Sequence, residues 1–321
     1  MFPWTEFDFT ATSRLRRAVF VYSLTAVFVY ALFLSPLATA ATADNVWHPL
    51  VDRLAEDGFD RTYVSALFSR KSLKFSPEIM ARKMNVLLET RLSSRKPEPG
   101  TKPEVMARYF NPILIAGAYG FYRDHKEDFV VIENRYAVSG EVLTALLLVE
   151  TKLGTQVGKH NGLSILASMA LAHDFELIKP YIKRKDISDE THTWLVRRTG
   201  QKAGWAYEEL KALISYAQKN GKDPLIIPSS MYGAIGLCQF MPSNAIHYGR
   251  DGSGDGIVDL FNTLDALHSM ANFMKKHGWK KGLDRKGQLK VVYRYNHSES
   301  YAMTILAVAD KIRRTNAFFG N

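Results

Sequence analysis

Apolar positions recur at helical spacing along most of this chain, and few segments alternate with the period of two that a half-buried strand needs. Val46, Leu50, Val51 and Leu54 predict a helix over 46–57. Ser76-Pro77 opens a second over 76–91, with proline in its first turn, where its missing N–H costs nothing. The same reasoning predicts helices over 105–126, 127–136, 139–153, 163–175, 203–220, 264–277 and 301–314. Between the second and third, Pro97, Pro99, Gly100 and Pro103 mark a loop or linker over 93–103. The one candidate strand, 224–228, is short. There is no internal repeat and no low-complexity tract. The pattern therefore predicts a mainly α-helical protein.

The N-terminus departs from this pattern. Arg14-Leu-Arg-Arg17 precedes an uncharged stretch over 18–43, strongly apolar to Leu34, followed by Pro36 and the small-residue sites Ala38-Thr39-Ala40 and Ala41-Thr42-Ala43. Basic flank, apolar stretch and A-x-A site are the order of a secretory signal peptide over 1–43. The alternative is an uncleaved anchor, since the stretch nearly reaches bilayer length. Both predict an exported, periplasmic protein, touching the membrane only if the segment is retained. The 321 residues carry 42 Lys+Arg against 32 Asp+Glu, a formal charge of +10. Cleavage removes Arg14, Arg16, Arg17, Glu6 and Asp8, which leaves +9. Export turns that charge away from nucleic acid and toward an anionic wall polymer. The longest basic run in the exported part is only Lys183-Arg184-Lys185. One cysteine excludes an internal disulfide and a cysteine-rich zinc site.

Three stretches carry candidate chemistry. Leu143, Leu146, Leu147 and Glu150 share one helix face, so Glu150 sits where the helix should be buried. Burial raises a carboxyl pKa, and an acid still protonated near neutrality can donate a proton to a leaving oxygen. Otherwise Glu150 lies at a frayed helix end and faces solvent. The second stretch, residues 229–243, holds Gly233 and Gly236, which permit close backbone approach, and Gln239, whose amide can both donate and accept. An ordinary turn before a helix reads the same way. Cys238 inside it reads as a small buried hydrophobe. The third is Asp251-Gly-Ser253-Gly-Asp255-Gly256, the opening of an EF-hand-like loop, with Asn262 where a glutamate is usual and Asp265 three residues later. A solvated Asp/Gly turn is the alternative.

Taken in order, these motifs resemble the lytic transglycosylase B family of murein-degrading enzymes. The matching stretches are Val149-Glu150-Thr151-Lys152-Leu153-Gly154, then Gly233-Ala234-Ile235-Gly236 with Gln239-Phe240-Met241-Pro242-Ser243, then residues 251–260. His277-Gly278-Trp279 and Tyr295-Asn296-His297-Ser298 with Tyr301-Ala302 complete the set. The likeness is good over 107–314 and loose over 44–106. It implies a lysozyme-like helical catalytic domain over 107–321, with an N-terminal helical region and linker at 44–106. It implies cleavage of the β-1,4 bond between N-acetylmuramic acid and N-acetylglucosamine, leaving 1,6-anhydromuramic ends, with peptidoglycan strands as partner. Glu150 matches the family's single catalytic acid. Ser230, Gln239, Tyr295, Asn296 and Tyr301 resemble residues lining its glycan groove, the tyrosines as flat faces for sugar rings. Asp251, Ser253, Asp255, the Ile257 carbonyl and Asp265 resemble its calcium loop, so a structural Ca2+ is implied, while the chemistry needs no cofactor.

The chain departs from the family at Leu153, usually aromatic, at Ser164, usually Asp, and at Ala172-His173-Asp174-Phe175 in place of a Tyr-Pro region. Competing functions are a lysozyme-type hydrolase of the same bond and a non-catalytic murein-binding scaffold. Wall-synthesis or secretion machinery are further partners such a protein would meet.

Overall fold

The computed structural model describes residues 46–93 and 103–320. The segment read as a signal peptide or anchor, and most of the Pro-rich linker, lie outside the described residues. Residues from Val46 onward form one compact unit. Its helices are α1 (His48–Glu56), α2 (Arg61–Phe68), α3 (Glu78–Leu92), α4 (Pro112–Asp124), α5 (Lys126–Tyr136), α6 (Gly140–Thr151), α7 (Gly162–Leu171), α8 (Phe175–Ile178), α9 (Asp189–Lys219), α10 (Pro242–Tyr248), α11 (Thr263–Lys276), α12 (Arg285–Tyr295) and α13 (Glu299–Phe319).

The centre of the fold is α6. Every residue from Val142 to Leu148 is buried, so this helix is apolar all round rather than striped, as a core helix must be. It packs against α13, α4 and α5. Gly140 at its start permits the close approach of α5, because a Cβ there would lie 2.5 Å from the Phe129 ring. After Thr151 the chain turns sharply through Lys152, Leu153 and Gly154, all left-handed with φ of 48, 58 and 88°. The amide of Lys152 still closes on the Leu148 carbonyl at 3.0 Å, and that of Leu153 on the Leu147 carbonyl at 3.1 Å. This turn ends the helix one residue past Glu150.

The second layer is the 31-residue α9, about 46 Å long at 1.5 Å per residue, which packs against α7, α10 and α3. The helices before residue 93 share one apolar cluster with the rest, through Leu54, Phe68, Met80, Met84 and Leu88. Asp57 accepts hydrogen bonds from the Tyr207 hydroxyl at 3.0 Å and from Lys211 at 2.8 Å, tying α1 to α9.

The helical class follows the apolar pattern, but several boundaries differ from it. The stretch 105–126 is a 3-10 turn, Ala107–Phe110, then α4, divided at Asn111, whose side chain caps Ile113. The helix expected over 163–175 stops at Leu171, and Asp174 caps a separate short α8. α9 begins fourteen residues before the expected 203, because Ser188 caps it at Thr191 and its first turns carry polar residues that blur the apolar period. α2, α10 and α12 have no counterpart in the expectations. The candidate strand over 224–228 is instead a 3-10 turn, Pro224–Ile226, followed by the two-residue strand Pro228–Ser229. That strand pairs antiparallel with His160–Asn161. Pro224 and Pro228 limit any longer ladder, since proline has no N–H to donate.

Candidate active site

Glu150 lies in the last turn of α6, and Tyr301 in the first turn of α13, whose N-cap Ser298 accepts from the Tyr301 amide at 3.2 Å. The Tyr301 hydroxyl donates to Glu150 Oε1 at 2.5 Å. Residues 151 positions apart thus form the central contact of the site. Glu150 as a residue is half-buried, with its carboxyl at the inner end of the side chain largely desolvated. Burial pushes its pKa up to about 7, against the Tyr301 hydrogen bond, which pulls the other way by favouring the charged form. No acidic side chain contributes to that shift. Tyr301 is only 3% exposed, so its ring offers no face to a sugar. It lies beneath the carboxylate, and the stacking face expected of it is covered.

The remaining expected groove residues are held by the loop 229–241 and by the end of α12. The Tyr295 hydroxyl donates to the Cys238 carbonyl at 2.6 Å, with its ring packed on Phe240 and Phe273. Gln239 takes a left-handed φ of 49°, and its amide nitrogen donates to the carbonyls of Val157 at 3.2 Å and Gly236 at 2.9 Å. Its donor is therefore committed to the backbone, and only its amide oxygen is left for a ligand. The Ser230 hydroxyl accepts from the amides of Ala234 at 3.0 Å and Tyr232 at 3.4 Å, which folds the loop tip. Asn296 is exposed at the end of α12. Close packing explains the glycines of this loop. A Cβ at Gly236 would lie 2.5 Å from Leu260, one at Gly233 2.7 Å from Leu166. Cys238 is fully buried and its thiol is pushed up to about 12, which leaves it inert.

Two contributors gave no separate signal in the sequence. The fully buried Thr151 links α6 to the loop: its hydroxyl lies 3.1 Å from the Leu237 carbonyl and accepts from the Gly154 amide at 3.0 Å. The Tyr109 hydroxyl donates to the Val149 carbonyl at 3.3 Å, from a 3-10 turn forty residues upstream. Nothing in local spacing could connect Tyr109 to Glu150.

The loop at 251–265 is built around Asp265, which is fully buried. Its Oδ1 accepts from the amides of Gly252 and Ser253, both at 2.9 Å, and its Oδ2 from the Asp259 amide at 2.7 Å. Asp251 accepts from the amides of Gly254 at 2.5 Å and Gly256 at 2.8 Å, which hold its carboxyl below the usual range. Asp255 accepts from the Ile257 amide at 2.8 Å. The oxygen donors suit a hard cation in kind. Among the described residues no three His, Cys, Asp or Glu side chains converge on one point, so a cation here would also draw on the Ser253 hydroxyl and the Ile257 carbonyl. The carboxylates accept from the loop's own N–H groups, and a carboxylate oxygen that accepts one such bond keeps a lone pair for a cation.

A cavity of about 660 Å³ lies elsewhere, beside Ser139 and Val142 at the opposite end of α6, lined by Trp279, Lys280, Arg285 and Arg313. Glu150 is outside it.

The structure is thus mainly helical, with a glutamate of raised pKa at the end of its central helix. The sequence matches the family described as Transglycosylase SLT domain over residues 42–291, most of the chain, and the protein belongs to that family. It is 24% identical over 242 residues to membrane-bound lytic murein transglycosylase B of Escherichia coli strain K12, a match covering 72% of this chain and 57% of that protein. The chain thus spans little more than half the length of this curated relative. Its fold is similar to that of the Escherichia coli lytic transglycosylase Slt35 in complex with calcium, with a TM-score of 0.62 and 20% identity, covering 86% of this chain and 95% of the other. It is also similar to SltB3 of Pseudomonas aeruginosa in complex with NAG-anhNAM-pentapeptide, with a TM-score of 0.60 and 18% identity, covering 83% and 78%. Among the described residues no helix is long and apolar enough to cross a membrane.

Proposed function

We propose that this protein is an exported peptidoglycan lytic transglycosylase, with Glu150 acting first as acid and then as base. The observation that carries the reading is a single carboxyl raised to about 7 by burial and held by Tyr301, with no second acid acting on it. Ordinary glycosidases use two carboxyl groups, one to protonate the leaving oxygen and one as nucleophile or base for water. One carboxyl suits a reaction in which the substrate supplies its own nucleophile.

In the first step Glu150 gives its proton to the glycosidic oxygen between N-acetylmuramic acid and N-acetylglucosamine, and the C1–O bond breaks. The sugar's own N-acetyl group, or a fixed protein dipole, stabilises the positive charge at C1. Glu150, now a carboxylate, takes the proton from the C6 hydroxyl as that oxygen bonds to C1. No water is consumed, and the acid returns to its starting state. Intramolecular attack gains effective molarity over a water molecule. Ser230, Asn296 and the amide oxygen of Gln239 orient the acetamido groups, while Tyr295 anchors the loop beside the acid.

Residues 107–321 carry this chemistry, and the helices at 44–106 support one side of the groove. Residues 1–43 export the chain to the periplasm. A calcium ion, as in the Slt35 structure, would be held by oxygens of Asp251, Ser253, Asp255, Asp265 and the Ile257 carbonyl, and would brace the loop before α11 without entering the reaction.

Digestion of purified sacculi by the parent and by Glu150→Gln, followed by mass spectrometry, tests this. The parent should release fragments ending in anhydromuramic acid, lighter by one water than reducing ends, and Glu150→Gln should release none while still binding the glycan. Reducing ends would instead make it a lysozyme-type hydrolase, and an inactive parent a scaffold.

A further inference from the structure

The long α9 carries Trp194, Arg198, Lys202 and Trp205 at spacings of three and four, so they form one stripe. On α3, Lys83, Leu87 and Arg91 form another. The two stripes meet in antiparallel register. At one end Arg91 pairs with Glu190 at 2.6 Å and lies 5.1 Å over the Trp194 ring. Two turns back along α3 and two turns forward along α9, about 12 Å in each case, Lys83 comes close enough to Arg198 and Lys202 for their charges to act on one another.

These three cations are treated differently from their neighbours. Arg91 is paired with Glu190 and Lys211 with Glu208, whereas Lys83, Arg198 and Lys202 enter no ion pair among the described residues. Arg198 donates only to the Gln201 amide oxygen, at 3.0 Å. Lys83 Nζ sits 4.3 Å over the Tyr232 ring, and Lys202 Nζ 4.9 Å over the Trp205 ring. Burial, and then the neighbouring positive charges, hold both lysines below the usual ammonium pKa. Crowding like charges without an acid costs stability, so the arrangement calls for an anion.

Its position names the anion. Tyr232 is at the tip of the loop whose other limb lies against the acid: Tyr295 holds the Cys238 carbonyl, and Thr151, next to Glu150, holds the Leu237 carbonyl. From Tyr232 to Cys238 is six residues, at most about 20 Å of chain. A pentapeptide extended from the lactyl group of a muramic residue reaches roughly 17 Å by the same rise per residue and ends in a carboxylate.

We propose that Lys83, Arg198 and Lys202, with Tyr232 as an aromatic floor, form a subsite for the terminal carboxylate of the peptide stem on the murein strand being cut. This rests on the transglycosylase reading and extends it to the choice between peptide-bearing and bare glycan. It also gives α3, which is remote from the acid in sequence, a direct part in substrate recognition.

The test measures binding by the full chain carrying Glu150→Gln, so that ligand is not consumed. The ligands are a synthetic NAG-NAM-pentapeptide oligomer, the same oligomer with its C-terminal carboxylate amidated, and a peptide-free chitin oligomer. Combining Lys83→Gln with Lys202→Gln should weaken binding of the free-carboxylate ligand by about tenfold, as expected for charge-assisted hydrogen bonds, and leave the other two unchanged. Lys83→Arg with Lys202→Arg should restore it, which separates charge from packing. Equal losses on all three ligands, or no loss on the first, would overturn the subsite. Anhydromuramic product from the parent is measured separately, so failure of the subsite and failure of the transglycosylase reading give different results.

Discussion

At Glu150 two opposing influences act on one proton. Burial favours the neutral acid, and the Tyr301 hydroxyl favours the carboxylate. The balance near 7 suits a group that must give up a proton and then take one back. Activity should therefore fall as pH rises through about 7, where the acid form is lost. Tyr301→Phe removes the influence that lowers the pKa, so the alkaline limb should move to higher pH. The turnover number should drop by about tenfold because the carboxyl loses its orienting partner. A pH profile of anhydromuramic product release checks both effects. An unmoved limb would mean the Tyr301 contact does not govern this proton. The sequence pointed to Glu150 because the leucines at 143, 146 and 147 make its face legible by period alone. It gave Tyr301 a different task, since a tyrosine lining a groove and one buried under an acid look identical in a string of letters.

At the scale of elements, the 251–265 segment shows how a loop is held by one buried side chain. Asp265 receives three backbone amides, two from the start of the loop and one from its middle. Asp265→Asn replaces one acceptor oxygen with a donor facing those amides, and should lower stability by about 3 kcal/mol, measured by urea unfolding. Added calcium should raise the melting temperature of the parent and not of this variant. A parent indifferent to calcium and to chelator would show that the amides alone brace the loop. The Asp/Ser/Asp spacing announced an oxygen-rich turn. What the oxygens bind depends on which backbone groups the turn brings to them, and spacing does not state that. Boundaries were legible where the apolar period was clean, as in α6 and α11. They were lost where polar turns blurred it, as at the start of α9, and in the short α2 and α10.

For the whole molecule, the apolar cluster runs without a break from the N-terminal helices through α6 to α13. Leu88, fully buried on α3, belongs to it. Leu88→Ala should cost about 2–5 kcal/mol and shift a single cooperative transition seen by near-UV circular dichroism and fluorescence alike. Two transitions, with only one moved, would mean that the N-terminal helices fold apart from the catalytic part. By itself, the sequence determined the helical class, the glutamate at the end of an apolar helix and the order of the motifs that match the family. These depend on local period, composition and spacing. Only the tertiary structure decided that Tyr301 lies under Glu150, that Thr151 and Tyr109 hydrogen-bond around the end of α6, that Asp265 accepts from three backbone amides, and that Lys83 comes near Arg198 and Lys202. Each is a contact between residues far apart in the chain or a choice among hydrogen-bond partners. Such contacts are set by how helices pack, which no local pattern encodes.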